Sequence, residues 1–331
     1  KDLMDTKAKP LLSKNNPLKV ELENRESFSF GYLLPYYWFS WIIIFLSFFL
    51  IYLPKPLRQL IGSSIGLFIK HSNTKRSHIV MINLSLCFKS KTKAELKKIH
   101  NEYFKNLGNT IIDMPSLWWR SDKSLQNNCE IINEHYIDNE LSKGKGVILL
   151  TPHTVSLDFG GRSISRYPII SIYKPFRNKL LNWFVGRSRS KDTDNSIVYP
   201  RDNLSFKKII KALKTPIVFY YIGDEDLGEK NSEFANFFDE PKSTLISITK
   251  IASLSKATVI PCINHYCISK NKYITYIDQP LTKFPTGHPS DDAEIINRAF
   301  EKLINRNLEQ YMWSLRLFQT RPNGKKYPYS K

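Results

Sequence analysis

From Ser27 to Pro54 no residue carries a charge, and Tyr36–Leu53 (YYWFSWIIIFLSFFLIYL) is almost wholly aromatic and aliphatic. Eighteen residues at 1.5 Å each reach about 27 Å, close to the hydrocarbon thickness of a bilayer. Tyr36, Tyr37, Trp38 and Trp41 crowd one end and Tyr52 sits at the other, as interfacial aromatics bracket a membrane helix, and Pro54 and Pro56 then stop it. About 35 residues precede the run and bulky residues follow it, so it reads as a retained transmembrane anchor over 36–54 rather than a cleaved signal peptide. The competing reading is a buried core helix. Beyond it, Leu57, Leu60, Ile61, Ile65 and Phe68 recur at helical spacing opposite Arg58, Gln59, Ser63 and Ser64, which predicts a second helix lying on the membrane surface. Lys55, Arg58, Lys70, Lys75 and Arg76 follow the anchor with no acidic residue among them, which predicts that the C-terminal part lies on the cytoplasmic side of the membrane.

The rest is organised as an N-terminal segment (1–35), an interfacial and helical region (55–144) and an α/β core (145–331), the last two forming one domain. Thr92-x-x-Glu95 is a capping box ahead of Leu96, Ile99, Tyr103, Leu107 and Ile111. From residue 145, short apolar runs (146–151, 168–173, 216–222 and 257–262) alternate with helical stretches at 179–187, 204–213 and 243–254, and a final helix runs over about 291–308. That alternation predicts an α/β fold with a mostly parallel or mixed sheet flanked by helices. The chain carries 49 Lys and Arg against 30 Asp and Glu, a net charge of +19, so its partners are anionic: nucleic acid, an anionic membrane, or an acidic protein or phosphorylated substrate. Four cysteines in 331 residues make no disulfide scaffold.

The first apolar run ends in Thr151-Pro152-His153, with Asp158 five residues on and Gly160-Gly161 beyond. A histidine at the C-terminal end of a strand is where α/β sheets place active sites. The spacing alone is weak, since His135…Glu140 repeats it in the polar run NEHYIDNE. A turn could return Asp158 to His153 Nδ1 and leave Nε2 to take a proton, giving a base and its orienting group; the alternative is a structural histidine. Ser156 lacks a nucleophile elbow. Cys262, His265 and Cys267 resemble metal ligands, but on one strand Cys262 would point away from the other two. Asp224 and Asp226 follow the third apolar run, either as an acidic turn or as orienting groups for an arginine. Lys174, Arg177, Lys179, Arg187, Arg189, Lys191 and Arg201 gather around Phe176, Trp183 and Phe184, as a solvated face or an anion-binding surface, and a membrane-tethered basic binding module without catalysis is the rival to an enzyme.

Several motifs in order resemble one family: Ile82-Asn83-Leu84-x2-Cys87-Phe88; His153-x4-Asp158 with Gly160, Gly161 and Arg162; Tyr173-Lys174-Pro175 leading to Arg187 and Arg189; Arg201-Asp202-x-Leu204; Gly223-Asp224-Glu225-Asp226-x-Gly228; and Gln310-Tyr311-Met312-Trp313 with Arg316 and Thr320-Arg321-Pro322. Together they resemble the late lipid A acyltransferases of Gram-negative bacteria, the lauroyl and myristoyl transferases of lipopolysaccharide assembly. The resemblance implies a glycerolipid-acyltransferase-like fold, acyl carrier protein as donor and a phosphorylated glycolipid as acceptor, membrane lipids as surroundings and no nucleic acid. It further implies His153 as general base oriented by Asp158, with Arg189, Asp224, Arg187, Lys174, Arg162, Arg316 and Arg321 binding substrate, and neither metal nor cofactor. Asp158 stands where the family usually has Glu, Lys174 where it has Arg, Lys89 where a Pro is common, and Leu315 and Leu317 where basic residues are. These departures leave the acceptor open to another glycolipid or an aminolipid.

Overall fold

The computed structural model describes residues 28–189, 196–200 and 203–330; residues 1–27, most of the expected N-terminal segment, and Lys191, Arg201 and Asp202 lie outside them. Two 3₁₀ turns, Phe30–Leu33 and Pro35–Tyr37, lead into helices α1 (Trp38–Leu50), α2 (Lys55–Ser72), α3 (Thr74–Cys87), α4 (Lys93–Asp113), α5 (Pro115–Trp119) and α6 (Asp122–Asn127). Then follow β1 (Cys129–Ile132), α7 (His135–Ser142), β2 (Val147–Thr151), α8 (Leu157–Ile164), β3 (Ile169–Tyr173), α9 (Lys179–Arg189), β4 (Ser196–Pro200), α10 (Asn203–Ala212) and β5 (Val218–Ile222). The chain continues with β6 (Ser232–Phe237), β7 (Glu240–Leu245), α11 (Ser247–Ser255), β8 (Thr258–Cys267), β9 (Lys272–Ile277) and α12 (Pro289–Ile304).

Seven strands form one sheet in the order β1-β9-β8-β2-β5-β3-β4, and β6 and β7 form a separate antiparallel hairpin. Every pairing in the large sheet is parallel except β8 with β9, which bears out the expected mixed sheet. Strand β2 is buried at all five positions because helices cover both faces. Its alternate side chains feed two cores: Ile148 and Leu150 join Phe219 on one side, while Val147 and Leu149 join Val218 and Ile260 on the other. The predicted strands and most helices appear within a few residues of their expected bounds. The 243–254 helix is corrected: it begins at Ser247, because Ser243, Thr244 and Leu245 belong to β7, where they pair with Phe234, Glu233 and Ser232.

The expected transmembrane anchor is also corrected. Among the described residues no helix is long and apolar enough to cross a membrane. The 3₁₀ turn begun at Pro35 takes up the first residues of the apolar run, and regular helix ends at Leu50, leaving 13 residues in α1, a length of about 20 Å against about 30 Å of hydrocarbon. Helix α1 turns a narrow face to the protein: Ser40, Ile44 and Ser47 are buried, Trp119 Nε1 donates to Ser47 Oγ at 2.9 Å, and Asn178 Nδ2 donates to Ser40 Oγ at 2.9 Å. Its large residues Phe39, Ile42, Phe45, Leu46 and Phe49 face outward.

Helix α2 docks in the same inverted sense. Gly62 and Gly66 are its buried positions, Leu57, Leu60, Leu67 and Phe68 are exposed, and α4 packs closely on the glycines. A methyl group on Gly66 would meet the Phe104 carbonyl, and one on Gly108 would meet the Gly62 carbonyl, both nearer than Cβ atoms approach backbone. These helices touch backbone to backbone, so no side chain can yield. Gly108→Ala is therefore expected to lower stability by about 2 kcal/mol or more, seen in denaturant unfolding; Gly186→Ala in α9, whose added methyl meets nothing within 4 Å, leaves stability unchanged or slightly raised.

Candidate active site

The parallel pairing of β2 with β5 places Val147 against Val218 and Thr151 against Ile222. Two residues past each strand end, the same register sets His153 against Asp224. The His153 backbone N–H donates to Asp224 Oδ2 at 2.9 Å, and imidazole Nδ1 lies 2.5 Å from Oδ1. One carboxylate thus grips both the backbone and the ring of the histidine. Asp224 is fully buried. Burial works to raise its carboxyl, and His153, through its charge and both hydrogen bonds, outweighs that with Lys242 adding to it, holding Asp224 below the usual carboxylate range.

A segment near the C-terminus secures the histidine from the other side. Met312 N–H donates to the His153 carbonyl at 2.9 Å, Val155 N–H donates to the Gln310 carbonyl at 2.9 Å, and Thr154 bridges to Tyr311. The Gln310-Tyr311-Met312-Trp313 motif thus fixes the backbone carrying His153 through an isolated antiparallel bridge. Trp313 is fully buried, and Asn83, from the Ile82-Asn83-Leu84 motif, donates to its carbonyl at 2.7 Å.

Asp158 stands in the first turn of α8, and its Oδ1 accepts from Arg189 Nε at 3.1 Å and Nη2 at 2.9 Å. The expected assignment is corrected here: the hydrogen bond at the Nδ1 of His153 goes to Asp224, and Asp158 positions Arg189. The arginine closes α9 and its guanidinium lies 6.0 Å from the Phe176 ring centre. Beyond the other ring nitrogen, Glu225 Oε1 is 3.9 Å from His153 Nε2. Gly160 is needed for close packing, since a methyl there would meet Tyr220 Oη at 2.7 Å.

These groups surround a cavity of about 610 Å³. His153, Asp158, Arg189, Glu225 and the exposed Lys174 and Arg316 supply its polar lining, and Leu117, Trp118, Ile169, Val185 and Phe219 its apolar part. Arg162 also lines it, but is buried and paired with Asp122 at 2.9 Å. Arg187 and Arg321 are absent from the described lining residues: the Arg187 guanidinium lies 5.9 Å from the Trp183 ring centre, and Arg321 pairs with the buried Glu240. Neither is among the residues the described cavity brings together with His153. Ser156 is buried and donates to the Asn264 carbonyl, in agreement with a structural role. Among the described residues no group of three or more His, Cys, Asp or Glu could hold a metal ion, and Cys262 is buried while Cys267 is half-exposed on the other face of β8. Glu225 stands inside the Gly223–Gly228 motif without an expected role, and its place in the cavity lining follows from the turn it shares with Asp224.

Three comparisons bear on these geometries. Residues 25–320 match the family model of bacterial lipid A biosynthesis acyltransferases. A lipid A biosynthesis acyltransferase of Haemophilus influenzae is 30% identical over 90% of this chain and 92% of its own. The lipid A biosynthesis lauroyltransferase of Escherichia coli is 28% identical over 92% and 98%, and the palmitoleoyltransferase of the same organism 29% over 90% and 96%. The solved 1-acyl-sn-glycerophosphate acyltransferase of Thermotoga maritima gives a TM-score of 0.31 at 13% identity over 76% of this chain and 97% of that one, a likeness that carries no argument.

The Glu240 cluster yields a pH prediction. Burial alone would raise this carboxyl, but hydrogen bonds from Lys325, Arg321 and Lys89 hold it down at about 2. A carboxylate depressed in the fold stabilises above its unfolded pKa of about 4.3 and ceases to as pH falls through the folded value. Denaturant unfolding between pH 6 and pH 2.5 is expected to show stability falling below about pH 4.5; Glu240→Gln lowers stability at pH 6 and makes that fall shallower.

Proposed function

We propose that this chain, which belongs to the bacterial lipid A biosynthesis acyltransferase family, moves a fatty acyl group from an acyl carrier protein thioester to a hydroxyl of a phosphorylated lipid A precursor. The observation that carries the reading is the His153–Asp224 pair at the edge of a largely apolar cavity. Asp224 holds the Nδ1 proton, so neutral His153 presents its Nε2 lone pair. Nε2 takes the proton of the acceptor hydroxyl as that oxygen attacks the thioester carbonyl. The tetrahedral intermediate then expels the carrier thiolate, which receives the proton from the imidazolium. Arg189, fixed by Asp158, provides a positioned cation for the oxyanion or for a phosphate of the acceptor, and Lys174 and Arg316 add exposed positive charge. The cavity's apolar part suits an acyl chain, and an overall charge of +19 suits an acidic carrier protein.

The outward faces of α1 and α2 support placement on the inner-membrane surface. Phe39 and Phe68 are each 72% exposed, most large apolar side chains of both helices are exposed with them, and Phe30 and Tyr36 are exposed in the preceding turns. Apolar exposure of this kind marks a surface that leaves water, and here it would enter one leaflet beside the cavity.

Two experiments check this reading. Mass spectrometry of lipid A from a host lacking its own late acyltransferases is expected to show a gain of one acyl chain with the unaltered chain. His153→Ala should reduce that gain at least about a hundredfold while still reaching the membrane; retained transfer by His153→Ala would contradict the assignment. Separately, Phe39, Phe45 and Phe49 replaced together by Ser should release the protein from anionic vesicles in a flotation assay, with its circular dichroism unchanged.

A further inference from the structure

The loop between β3 and α9 runs Lys174-Pro175-Phe176-Arg177-Asn178, and Lys179 opens the helix after it. Lys174, Phe176, Arg177 and Lys179 are all exposed, Phe176 at 45%. Exposed loops are ordinarily the loosest parts of a fold, yet side chains pin this one at three points. The Phe176 N–H donates to Asn182 Oδ1 at 3.0 Å, the Leu181 N–H to Asn178 Oδ1 at 3.1 Å, and Asn178 Nδ2 to Ser40 Oγ of α1 at 2.9 Å. Phe176 is thereby held with nearly half its surface in water, in the middle of three cations.

Among the described residues Lys174, Arg177 and Lys179 form no ion pair. The sequence supplies no local counter-charge either, since no acidic residue stands between Asp158 and Asp192. This uncompensated charge borders the reaction site. Lys174 and Phe176 line the cavity that holds His153, and the Arg189 guanidinium, fixed by Asp158, lies 6.0 Å from the Phe176 ring centre. An exposed aromatic ring among cations fits an acidic partner that brings some apolar surface. The anchoring contact selects a soluble protein over lipid as that partner. Ser40 lies on the buried face of α1, whereas Ile42, Phe45 and Phe49 are exposed on the opposite face. With that outer face in a leaflet, the loop stands behind the helix, about 10 Å from the lipid side, where a soluble protein can reach it.

We infer that the β3–α9 loop is the docking platform for the acidic carrier protein: Arg177 and Lys179 meet its carboxylates, Phe176 packs at the contact, and the thioester arm enters the cavity past Lys174. Arg177 and Lys179 are not among the cavity-lining residues, so they act on the carrier and not on the reacting atoms. Charges at such a rim mainly raise the encounter rate and fix orientation, and a loop already pinned has little freedom left to lose on binding. The inference rests on the carrier thioester being the acyl donor.

The test compares two donors carrying the same acyl group, acyl carrier protein and an acyl pantetheine thioester without the protein, with the full chain and lipid A precursor. Arg177→Glu with Lys179→Glu is expected to lower kcat/KM for the carrier donor at least about tenfold and to weaken its salt dependence. Turnover of the pantetheine donor and flotation with anionic vesicles should stay unchanged. Lys97→Glu with Lys98→Glu makes the same change of net charge on exposed positions of α4, about 25 Å along that helix from the cavity-lining Met114; it should leave kcat/KM for the carrier donor within about twofold. An unchanged kcat/KM in the loop variant would overturn the inference, as would an equal loss in the α4 variant, which would make the effect one of net charge. Equal losses on both donors together with lost flotation would overturn it in favour of a loop that faces the membrane. The unaltered chain separates the two failures: if it prefers the carrier donor and the loop variant does too, the docking inference alone fails; if it has no such preference, the donor reading fails and the inference with it.

Discussion

The parallel register between β2 and β5 is the constraint from which the site follows. Each strand brings a chemically different end to the same edge of the sheet, and a one-to-one pairing of five residues sets His153 against Asp224 just beyond it. A shift by one residue would turn every β2 side chain to the opposite core and separate the pair. The two hydrophobic clusters on the faces of the sheet therefore do more than stabilise the fold: they lock the register that defines the candidate base. The Gln310–Trp313 segment and its Asn83 contact secure the same backbone from outside the sheet, which gives a physical reason for a motif some 160 residues away from the histidine.

Two carboxylates near one histidine have separate tasks. Asp224 is fully buried and engages the imidazole, where an ionised group acts strongly. Asp158 keeps about a third of its side-chain exposure and takes two guanidinium hydrogen bonds, which suits holding a cation at the edge of the cavity. The division links ring orientation to the core of the sheet and charge placement to α8 and α9. The β6–β7 hairpin is tied to the turn after β5 by Ser243 and Gly228, and Asp226 ties that turn to the C-terminal segment at Thr320.

Much of this was legible in the residues. The buried runs at 146–151 and 216–222 gave the central strands and placed His153 and Asp224 at strand ends, because fully apolar runs bounded by Pro and Gly have few other readings. The ordered motifs pointed to the family. The partner of His153 was not legible, since proximity in sequence favours Asp158, whereas the pairing register that favours Asp224 exists only once the strands are assembled. The β6–β7 hairpin was missed because Glu240 and Lys242 put charges on what became a buried face. The apolar run at 36–53 showed its hydrophobicity plainly but not its length as helix, because the 3₁₀ turns at Phe30 and Pro35 leave 13 residues for α1. The reversed docking of α1 and α2, with Ser and Gly inward and Phe and Leu outward, inverts the usual sense of an amphipathic pattern and needs the partner helix to be seen.

The most direct test of the division between the carboxylates is a double-mutant cycle in kcat/KM with residual activities measured in the His153→Ala background. If Asp224 acts through His153, Asp224→Asn costs nothing further once the imidazole is gone, while Asp158→Asn still lowers the residual rate by disturbing Arg189. The opposite pattern, with Asp158→Asn silent and Asp224→Asn still costly in that background, would contradict the account and return the orienting role to Asp158.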